Sequence, residues 1–282
     1  MLQLIKDKEQ VLITLERISN VPLKKYSHLF GRYGGIKIID AVNKWTRANQ
    51  GQKYQPAIIF LRVVLAANRK YRTHVEPHID RIIKENSSLS SFESLRKIIN
   101  AKTRDEFYQF WGHKDFKKYS TLINLLKAVE QVRLKYQISD DYMLMKRWAE
   151  EIDIIDYKND IIGRINNVAI ATIQHLRMDF GINTVKPDQR VIEVLEKEFG
   201  FDKITQLRAI NLVEEISFIS NIKVRELDLI LVNYGSGYYA NRNLNSEQKI
   251  RIEIADKLSK HGINDEIIYV CTGIKHDRAI KN

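Results

Sequence analysis

The residues best suited to chemistry lie in the stretch 165–195, which reads INNVAIATIQHLRMDFGINTVKPDQRVIEVL. Asn166 and Asn167 stand between two helix-like segments, and asparagine tolerates a positive φ better than any residue except glycine, so a tight turn is predicted there. The small side chains of Ala169 and Ala171 leave the N–H groups of the following helix open to a phosphate. The stretch therefore predicts a backbone anion site ahead of an acidic residue.

That acidic residue, Asp188, lies at the predicted start of the helix 188–199. Pro187 suits a first helical turn, and the positive end of the helix dipole favours the ionised carboxylate at neutral pH. An ionised carboxylate can stabilise a cationic transition state or activate a water molecule. On local sequence alone, a plain helix cap is the commoner role for such an aspartate.

The elements that must position these residues are predicted to be helices, because apolar residues recur at helical spacing along most of the chain. The predicted helices are 57–67, a stripe at 79–83, 91–100, 120–136 behind Ser120 or Thr121, 140–149, 160–180, 188–199, 205–216, 223–233 and 246–260. Gly200 is expected to be a left-handed cap. Only 265–274 has the character of a strand. The sequence predicts an all-α fold of about ten or more helices.

Composition and charge narrow the function classes. The chain has 282 residues with 44% hydrophobic residues, which disfavours disorder, and its 12 Gly and 4 Pro are too few for an all-β sandwich or barrel. Residues 1–150 carry 28 Lys and Arg against 15 Asp and Glu, whereas residues 151–282 carry 18 against 20. The basic half indicates a face that binds a polyanion, with nucleic acid as the leading candidate and a solvated basic surface as the alternative.

Cys271 is the only cysteine. It excludes an intrachain disulfide and any zinc or iron–sulfur site made of several cysteines of this chain. Neither a targeting segment nor an apolar run of about 18 residues is seen, so we expect no membrane association. These features favour a cytoplasmic or nucleoid-associated protein in a reducing compartment.

The stretch around Asp188 resembles the helix-hairpin-helix, Gly/Pro-Asp superfamily of base-excision DNA glycosylases, which includes endonuclease III and the adenine and alkyl-base glycosylases. The family pattern is a hairpin Leu-Pro-Gly-Val-Gly-x-x-Thr-Ala, then a spacer, then an aspartate before an apolar helix. The matching residues are Ile165-Asn166-Asn167-Val168-Ala169-Ile170-Ala171-Thr172-Ile173 and Pro187-Asp188-Gln189-Arg190-Val191. Asn167 and Ala169 replace the two glycines, and Asn166 replaces the proline.

Three further segments, in the family's order, extend the resemblance to about residues 55–240. Leu65-Ala66-Ala67-Asn68 is similar to the helix end that carries a gap-filling polar residue. Phe110-Trp111-Gly112-His113 through Lys118 is similar to a glycine-containing loop, and Asp228 to Gly235 is similar to the helix that closes the bundle.

The resemblance implies a DNA N-glycosylase that flips a damaged or mismatched base out of the duplex and excises it by hydrolysis, with Asp188 as the catalytic residue. The family members that also cleave the strand carry a Schiff-base lysine where this chain has Ala171. Lys186 lies across the loop and is read as a solvated or phosphate-facing lysine. The resemblance therefore implies a monofunctional enzyme without lyase activity.

The resemblance also implies where DNA is held. The DNA-binding candidates are Asn68, Arg69, Asn167, Val168, Ala169, Ala171, Thr172, Gln189 and Arg190, with Lys70 and Arg72 as further phosphate contacts. For Asn68 the alternative role is helix capping. For the basic residues it is a solvated face, and for Gln189 and Arg190 it is cover of the helix start. Candidates for the base pocket, each of which is more commonly a core residue, are Trp111, His113, Trp148, Tyr234, Tyr238 and Tyr239. No cofactor or side-chain metal site is expected, but the family often holds a K⁺ or Na⁺ ion at hairpin carbonyls, here Asn166–Ala169.

The family layout implies two helical subdomains with a DNA cleft between them. Residues 1–54 and 190–282 would form a flanking subdomain, and residues 55–189 a central bundle that ends in the helix-hairpin-helix and the aspartate loop. The expected partner is double-stranded DNA containing a lesion, bound by a monomer. The alternatives are a DNA-binding member of this fold that has lost excision, and an RNA-binding or tRNA-related helical protein, which would have no reason to keep Asp188 in this frame.

Overall fold

The computed structural model describes residues 4–51, 53–69, 71–239 and 254–272. Within these ranges the chain forms α-helices without a β-strand, and the all-α expectation is confirmed. The helices are α1 Lys8–Ser19, α2 Phe30–Tyr33, α3 Ile38–Ala48, α4 Pro56–Ala66, α5 Glu76–Glu85, α6 Phe92–Asn100, α7 Arg104–Trp111, α8 Phe116–Tyr136, α9 Asp141–Glu151, α10 Ile170–Asp179, α11 Gln189–Lys197, α12 Gln206–Ser220, α13 Val224–Tyr238, α14 254–260 and α15 Asp265–Thr272.

The helix α4 forms the centre of the main hydrophobic core. Ten of its eleven residues are buried, which is expected of a helix that is apolar on every side. It packs against α5, α6, α8 and α10. The exception is Arg62, whose charge is paired with Asp179 of α10.

The chain divides into two units, Met1–Gly237 and Tyr238–Asn282. The first contains the core around α4, which is built from residues 57–180, and also the packing of α1 on α3 and α12 and of α11 on α12. In the second, the described residues form α14 and α15. The two-subdomain layout with its DNA cleft stays a prediction.

Two sequence predictions about secondary structure are wrong. The run 265–274 is helical over Asp265–Thr272 rather than a strand, because Asn264 caps it by accepting the Glu266 N–H at 2.7 Å. The predicted helix 160–180 is helical only from Ile170, because the Asp160 carboxylate accepts the N–H groups of Ile162 and Gly163 and so competes with helix formation. Residues 246–253 of a further predicted helix lie outside the described residues.

One other helix start differs in detail, whereas the left-handed conformation expected at Gly200 is found. α8 begins at Phe116 behind Asp115, which accepts the Lys118 N–H, rather than at Ser120 or Thr121. Gly200, predicted as a left-handed cap, does have a positive φ of 72°. No described helix is long and apolar enough to span a membrane.

Candidate active site

Asp188 is the N-cap of α11 rather than a residue of its first turn. Its Oδ1 accepts the backbone N–H of Arg190 at 2.9 Å and of Val191 at 3.3 Å. Among the described residues Oδ2 accepts no hydrogen bond, and the side chain is half-buried. The two N–H donors hold one oxygen in place, and the second oxygen is left for another ligand.

The loop that leads to Asp188 is held by three helices. The Gln174 side chain of α10 donates to Thr184 Oγ1 at 2.9 Å. The Gln206 side chain of α12 donates to the Pro187 carbonyl at 3.3 Å. The Lys186 N–H donates to the Asp228 carboxylate of α13 at 2.9 Å. The position of Asp188 is therefore fixed from several directions.

Asp228 is a buried acid, with 6% of its surface exposed. Burial first, and then the charge of Asp188, raise the pKa of this carboxyl to about 7, although the Lys186 N–H, the Lys186 ammonium and Arg225 act in the opposite direction. The site thus contains a second carboxyl that takes up a proton close to neutral pH.

His28 is brought to the same place from the N-terminal part of the chain. Ser27 Oγ donates to the Asn233 carbonyl at 2.8 Å, and the Leu29 N–H donates to Asn233 Oδ1 at 2.8 Å. Asn233 is fully buried on α13. The residues on both sides of His28 are therefore fixed to the helix that carries Asp228.

The His28 side chain, with the Tyr71 ring and Asp188, forms the surface region that we call the recess. His28 is exposed, yet burial by the surrounding protein lowers the pKa of its imidazole to about 4, with Asp188 opposing the shift and Lys186 and Arg190 adding to it. Protein atoms therefore surround part of the ring, while another part stays in contact with solvent. The nearly parallel ring of Tyr71 has its centre 6.3 Å away. His28 is neutral at pH 7 and borders this recess near Asp188.

A buried ion pair lies close to the recess. Arg62 Nε donates to Asp179 Oδ2 at 3.1 Å, and a second guanidinium nitrogen contacts Oδ1, with 11% and 3% of the two side chains exposed. His175 Nε2 lies 3.7 Å from the same carboxylate. Burial lowers the pKa of His175 well below its ordinary value, and Lys186 and Arg62 lower it further. Arg62 therefore carries the positive charge of this pair.

The turn ahead of α10 has the predicted conformation. Asn167 has a φ of 69°, and its side chain donates to Thr121 Oγ1 at 3.3 Å, which ties the turn to α8. Ala169 is the exposed N-cap of α10 and has no side-chain cap. The N–H groups of Ile170 and Ala171 lie in the first turn, where a helix offers them no carbonyl partner. A helix N-terminus without a capping side chain thus stands ahead of the Asp188 loop.

The carbonyls of this turn, where a monovalent cation is expected, already accept protein donors. Thr121 Oγ1 donates to Asn166 O at 3.3 Å, and Lys158 Nζ donates to Val168 O at 3.4 Å. Val168 itself is buried, and Thr172 is half-buried with its N–H bonded to Ala169 O. The Lys158 ammonium therefore places a positive charge at one of the carbonyls considered for a cation.

Asn68 follows α4 in a left-handed conformation with a φ of 55°, and its side chain is exposed. Lys118 holds this helix end, because its Nζ donates to Leu65 O at 2.9 Å and Ala67 O at 2.5 Å. Burial and Arg69 lower the pKa of Lys118 to about 8. Arg69 is half-buried, and its Nη1 has no hydrogen-bond partner among the described residues. Lys70 lies outside the described residues.

The remaining candidates are dispersed. Gln189 is exposed, and Arg190 pairs with Glu193 at 3.0 Å. Trp111 and Trp148 are buried in the core with their indole N–H groups bonded to His113 O and to Asp160, and as placed they offer no ring face to a base. Tyr234 is buried beside Arg17 and Glu198.

His113 lines a surface depression of about 490 Å³ together with Tyr108 and Lys114. Its Nε2 is buried without a hydrogen-bond partner among the described residues. Burial lowers the pKa of His113, and Arg69 and Lys118 lower it further. His113 therefore lies near the basic end of α4.

Comparisons with protein-family models, with curated proteins and with solved structures find no match to this chain. The site itself, through its geometry and its sequence motifs, therefore indicates the chemistry. It combines a half-buried carboxylate, a buried second carboxyl and a neutral imidazole in a recess.

The site contains residues that the sequence motifs did not single out. Asp228 belongs to a motif segment, but no role was expected for it, and His28 lies outside every motif. Asp228 and Arg62 each interrupt an apolar helical run, LDLILV and AIIFLRVVLAA, and such an interruption signals a buried charge that needs a partner. His28 gives no comparable signal.

Proposed function

We propose that this protein is a monofunctional DNA N-glycosylase that hydrolyses the bond between a damaged or mismatched base and its deoxyribose. The observation that carries the proposal is Asp188, a half-buried carboxylate with one oxygen available, held beside the recess that His28 borders. The target bond is shielded in stacked DNA, so the nucleotide must be extruded to reach such a recess.

Asp188 acts on the sugar. The C1′–N bond breaks with its electron pair leaving on the base, which takes up a proton, and the sugar becomes an oxocarbenium-like cation. The ionised Asp188 stabilises this cation and accepts a proton from the water that attacks C1′. The products are the free base and an abasic site, and this hydrolysis needs no redox cofactor.

The recess is proposed to hold the extruded base. His28 is neutral at pH 7 and can either donate or accept a hydrogen bond. Tyr71 offers an aromatic ring nearly parallel to it, and aromatic faces stack on heterocycles.

DNA backbone binding is assigned to the turn ahead of α10. The uncapped N–H groups of this helix and the exposed Ala169 support contact with a phosphate. Asn68 at the end of α4 is proposed to fill the gap left by the base, with Arg69 on an adjacent phosphate. Such contacts position the duplex without reading its sequence.

The proposal is tested with a panel of duplexes that each contain one lesion: uracil, hypoxanthine, 8-oxoguanine, a methylated purine or mismatched thymine. After incubation with the protein, half of each sample is heated in alkali, which breaks the strand at abasic sites. Strand breaks that require both one lesion and alkali are expected. Tight binding without breaks on every duplex would support the alternative of an inactive DNA-binding protein.

The untreated half of each sample tests the assignment of Ala171. Breaks without alkali would show a lyase step, and Lys186, whose charge acts on His28, His175 and Asp228, would then be the first lysine to replace. We expect no such breaks.

A further inference from the structure

We propose that Asp228 is a positioning residue for Asp188, because its carboxylate holds the turn Lys186–Asp188 in place. The inference rests on the proposed function, since it assigns to Asp228 the placement of the catalytic carboxylate. Asp228 itself acts through the loop and not on the substrate.

Two hydrogen bonds connect the residues. The Lys186 N–H donates to Asp228 Oδ1 at 2.9 Å, and the Asp188 N–H donates to the Lys186 carbonyl at 2.7 Å. The same turn is continued by the bonds from Arg190 N–H and Val191 N–H to Asp188 Oδ1. Asp188 is thus held between the Asp228 carboxylate and the first turn of α11.

One face of α13 lies along this whole segment. Asp228 and Gly235 are seven residues apart, so they lie on the same face of the helix. A Cβ at Gly235 would lie 3.0 Å from the Arg190 carbonyl, which shows how closely α13 approaches the start of α11. Asp228 therefore contacts the loop from a helix that is itself packed against the next part of the site.

Burying a carboxyl at this position lowers the stability of the fold, which favours a functional role for Asp228. Asp228 is buried between Leu227 and Leu229 in an apolar helix, where an unpaired polar group is unfavourable. Asp188 adds a repulsion that raises the pKa of Asp228, whereas Lys186 and Arg225 provide the opposing charges. An acceptor at this position satisfies the N–H of the half-buried Lys186.

The test compares Asp228→Asn with Asp228→Ala. Asparagine keeps an acceptor oxygen for the Lys186 N–H, whereas alanine removes it. Glu226→Gln on the same helix is the matched control for loss of one negative charge. Asp228→Ser, whose side chain is too short to reach Lys186, replaces the alanine variant if that variant does not fold.

The first readout is the single-turnover excision rate with protein in excess, measured beside the Kd for the same duplex. We expect a loss of about 10- to 100-fold in rate for Asp228→Ala with Kd changed less than about 3-fold, because a small misplacement of a catalytic group costs this much. Asp228→Asn and Glu226→Gln are expected to stay within about 3-fold of the wild type. Equal rates for the alanine variant and the wild type would overturn the inference and leave the proposed function standing.

The second readout does not require excision. Hydrogen exchange of a peptide covering residues 182–189 is expected to be slow in the wild type and in Asp228→Asn, and faster in Asp228→Ala. Unchanged protection in the alanine variant would overturn the positioning of the turn. Faster exchange in a protein that excises no base would support the positioning of the turn while refuting the proposed function.

Discussion

Ala169 offers a test in which stability and DNA binding should change in opposite directions. It is the N-cap of α10, with extended backbone angles (φ −122°, ψ 172°) and no capping side chain. Aspartate or serine fits these angles and can accept an N–H of the first turn. Both substitutions should therefore cap the helix, but only aspartate adds a negative charge where DNA phosphate is proposed to bind.

The expected changes in stability and in DNA affinity follow from the position of Ala169 at the N-terminus of α10. Replacing alanine by serine or aspartate at an N-cap stabilises a helix by about 1 kcal/mol, and the negative charge of aspartate adds about 0.3–1 kcal/mol through the helix dipole. A carboxylate about 5 Å from a phosphate repels it by roughly 1–3 kcal/mol at effective dielectric constants between bulk water and a protein surface. This repulsion corresponds to about 5- to 150-fold weaker DNA binding.

The assay measures urea unfolding and DNA affinity on the same preparations. Ala169→Ser is expected to raise the free energy of unfolding and to leave the Kd for a duplex within about 3-fold, because the hydroxyl occupies one donor without adding charge. Ala169→Asp is expected to raise stability at least as much and to weaken binding. DNA binding by Ala169→Asp as tight as that of Ala169→Ser would refute the assignment of the α10 N-terminus to phosphate.

Three further predictions concern the groups around the recess. Because the pKa of Asp228 is raised from 3.8 to about 7, the folded state loses stability as pH rises between these values. In urea unfolding, the free energy of unfolding of Asp228→Asn relative to that of the wild type should therefore increase by about 2–3 kcal/mol from pH 5 to pH 8. An equal pH dependence of both proteins would contradict the raised pKa. Arg62→Met should lower the free energy of unfolding by about 3–5 kcal/mol because it leaves Asp179 unpaired, and the double variant Arg62→Met with Asp179→Leu should recover most of that loss. Additive losses of the two substitutions would show that the pair is not coupled. Asn233→Leu removes the acceptor of the Leu29 N–H, so NMR titration should find the pKa of His28 moved from about 4 toward its ordinary value; an unchanged value would show that Asn233 does not hold the recess.

Local sequence patterns were sufficient for most helices and for the two special backbone positions. The apolar repeat predicted the core helix α4, and Asn167 and Gly200 have the positive φ that their residue types favour. The helical period of apolar residues and the preference of glycine and asparagine for a positive φ depend only on neighbouring residues, so the sequence is enough to predict them.

The wrong predictions arose where a side chain changed the backbone. The run DEIIYVCTGI has a strand-like composition, and the capping Asn264 that starts its helix lies just outside it. The helix predicted from 160 fails because the Asp160 carboxylate bonds to the nearby N–H groups of Ile162 and Gly163. Such competition depends on individual hydrogen bonds, to which the apolar period is insensitive.

The places of Asp228 and His28 in the site could be recognised only from the fold. Asp188, Asp228 and His28 come from distant parts of the chain, and the contacts of Lys186 and Asn233 help to bring them together. The sequence signalled Asp188 through its helix start and its motif. It contained nothing that would join it to a histidine near the N-terminus.

We expect the charge of Asp188, and not only its capping of α11, to drive base excision. Asp188→Asn separates the two roles, because asparagine caps a helix about as well as aspartate but has no charge to stabilise a cation. Asp140→Asn, at the N-cap of α9, is the control for the loss of a capping charge. The decisive measurement is the single-turnover excision rate of the three proteins on the lesion that the panel identifies. We expect Asp188→Asn to retain its stability and lose excision while Asp140→Asn excises normally; excision by Asp188→Asn at the wild-type rate would leave Asp188 as a helix cap alone.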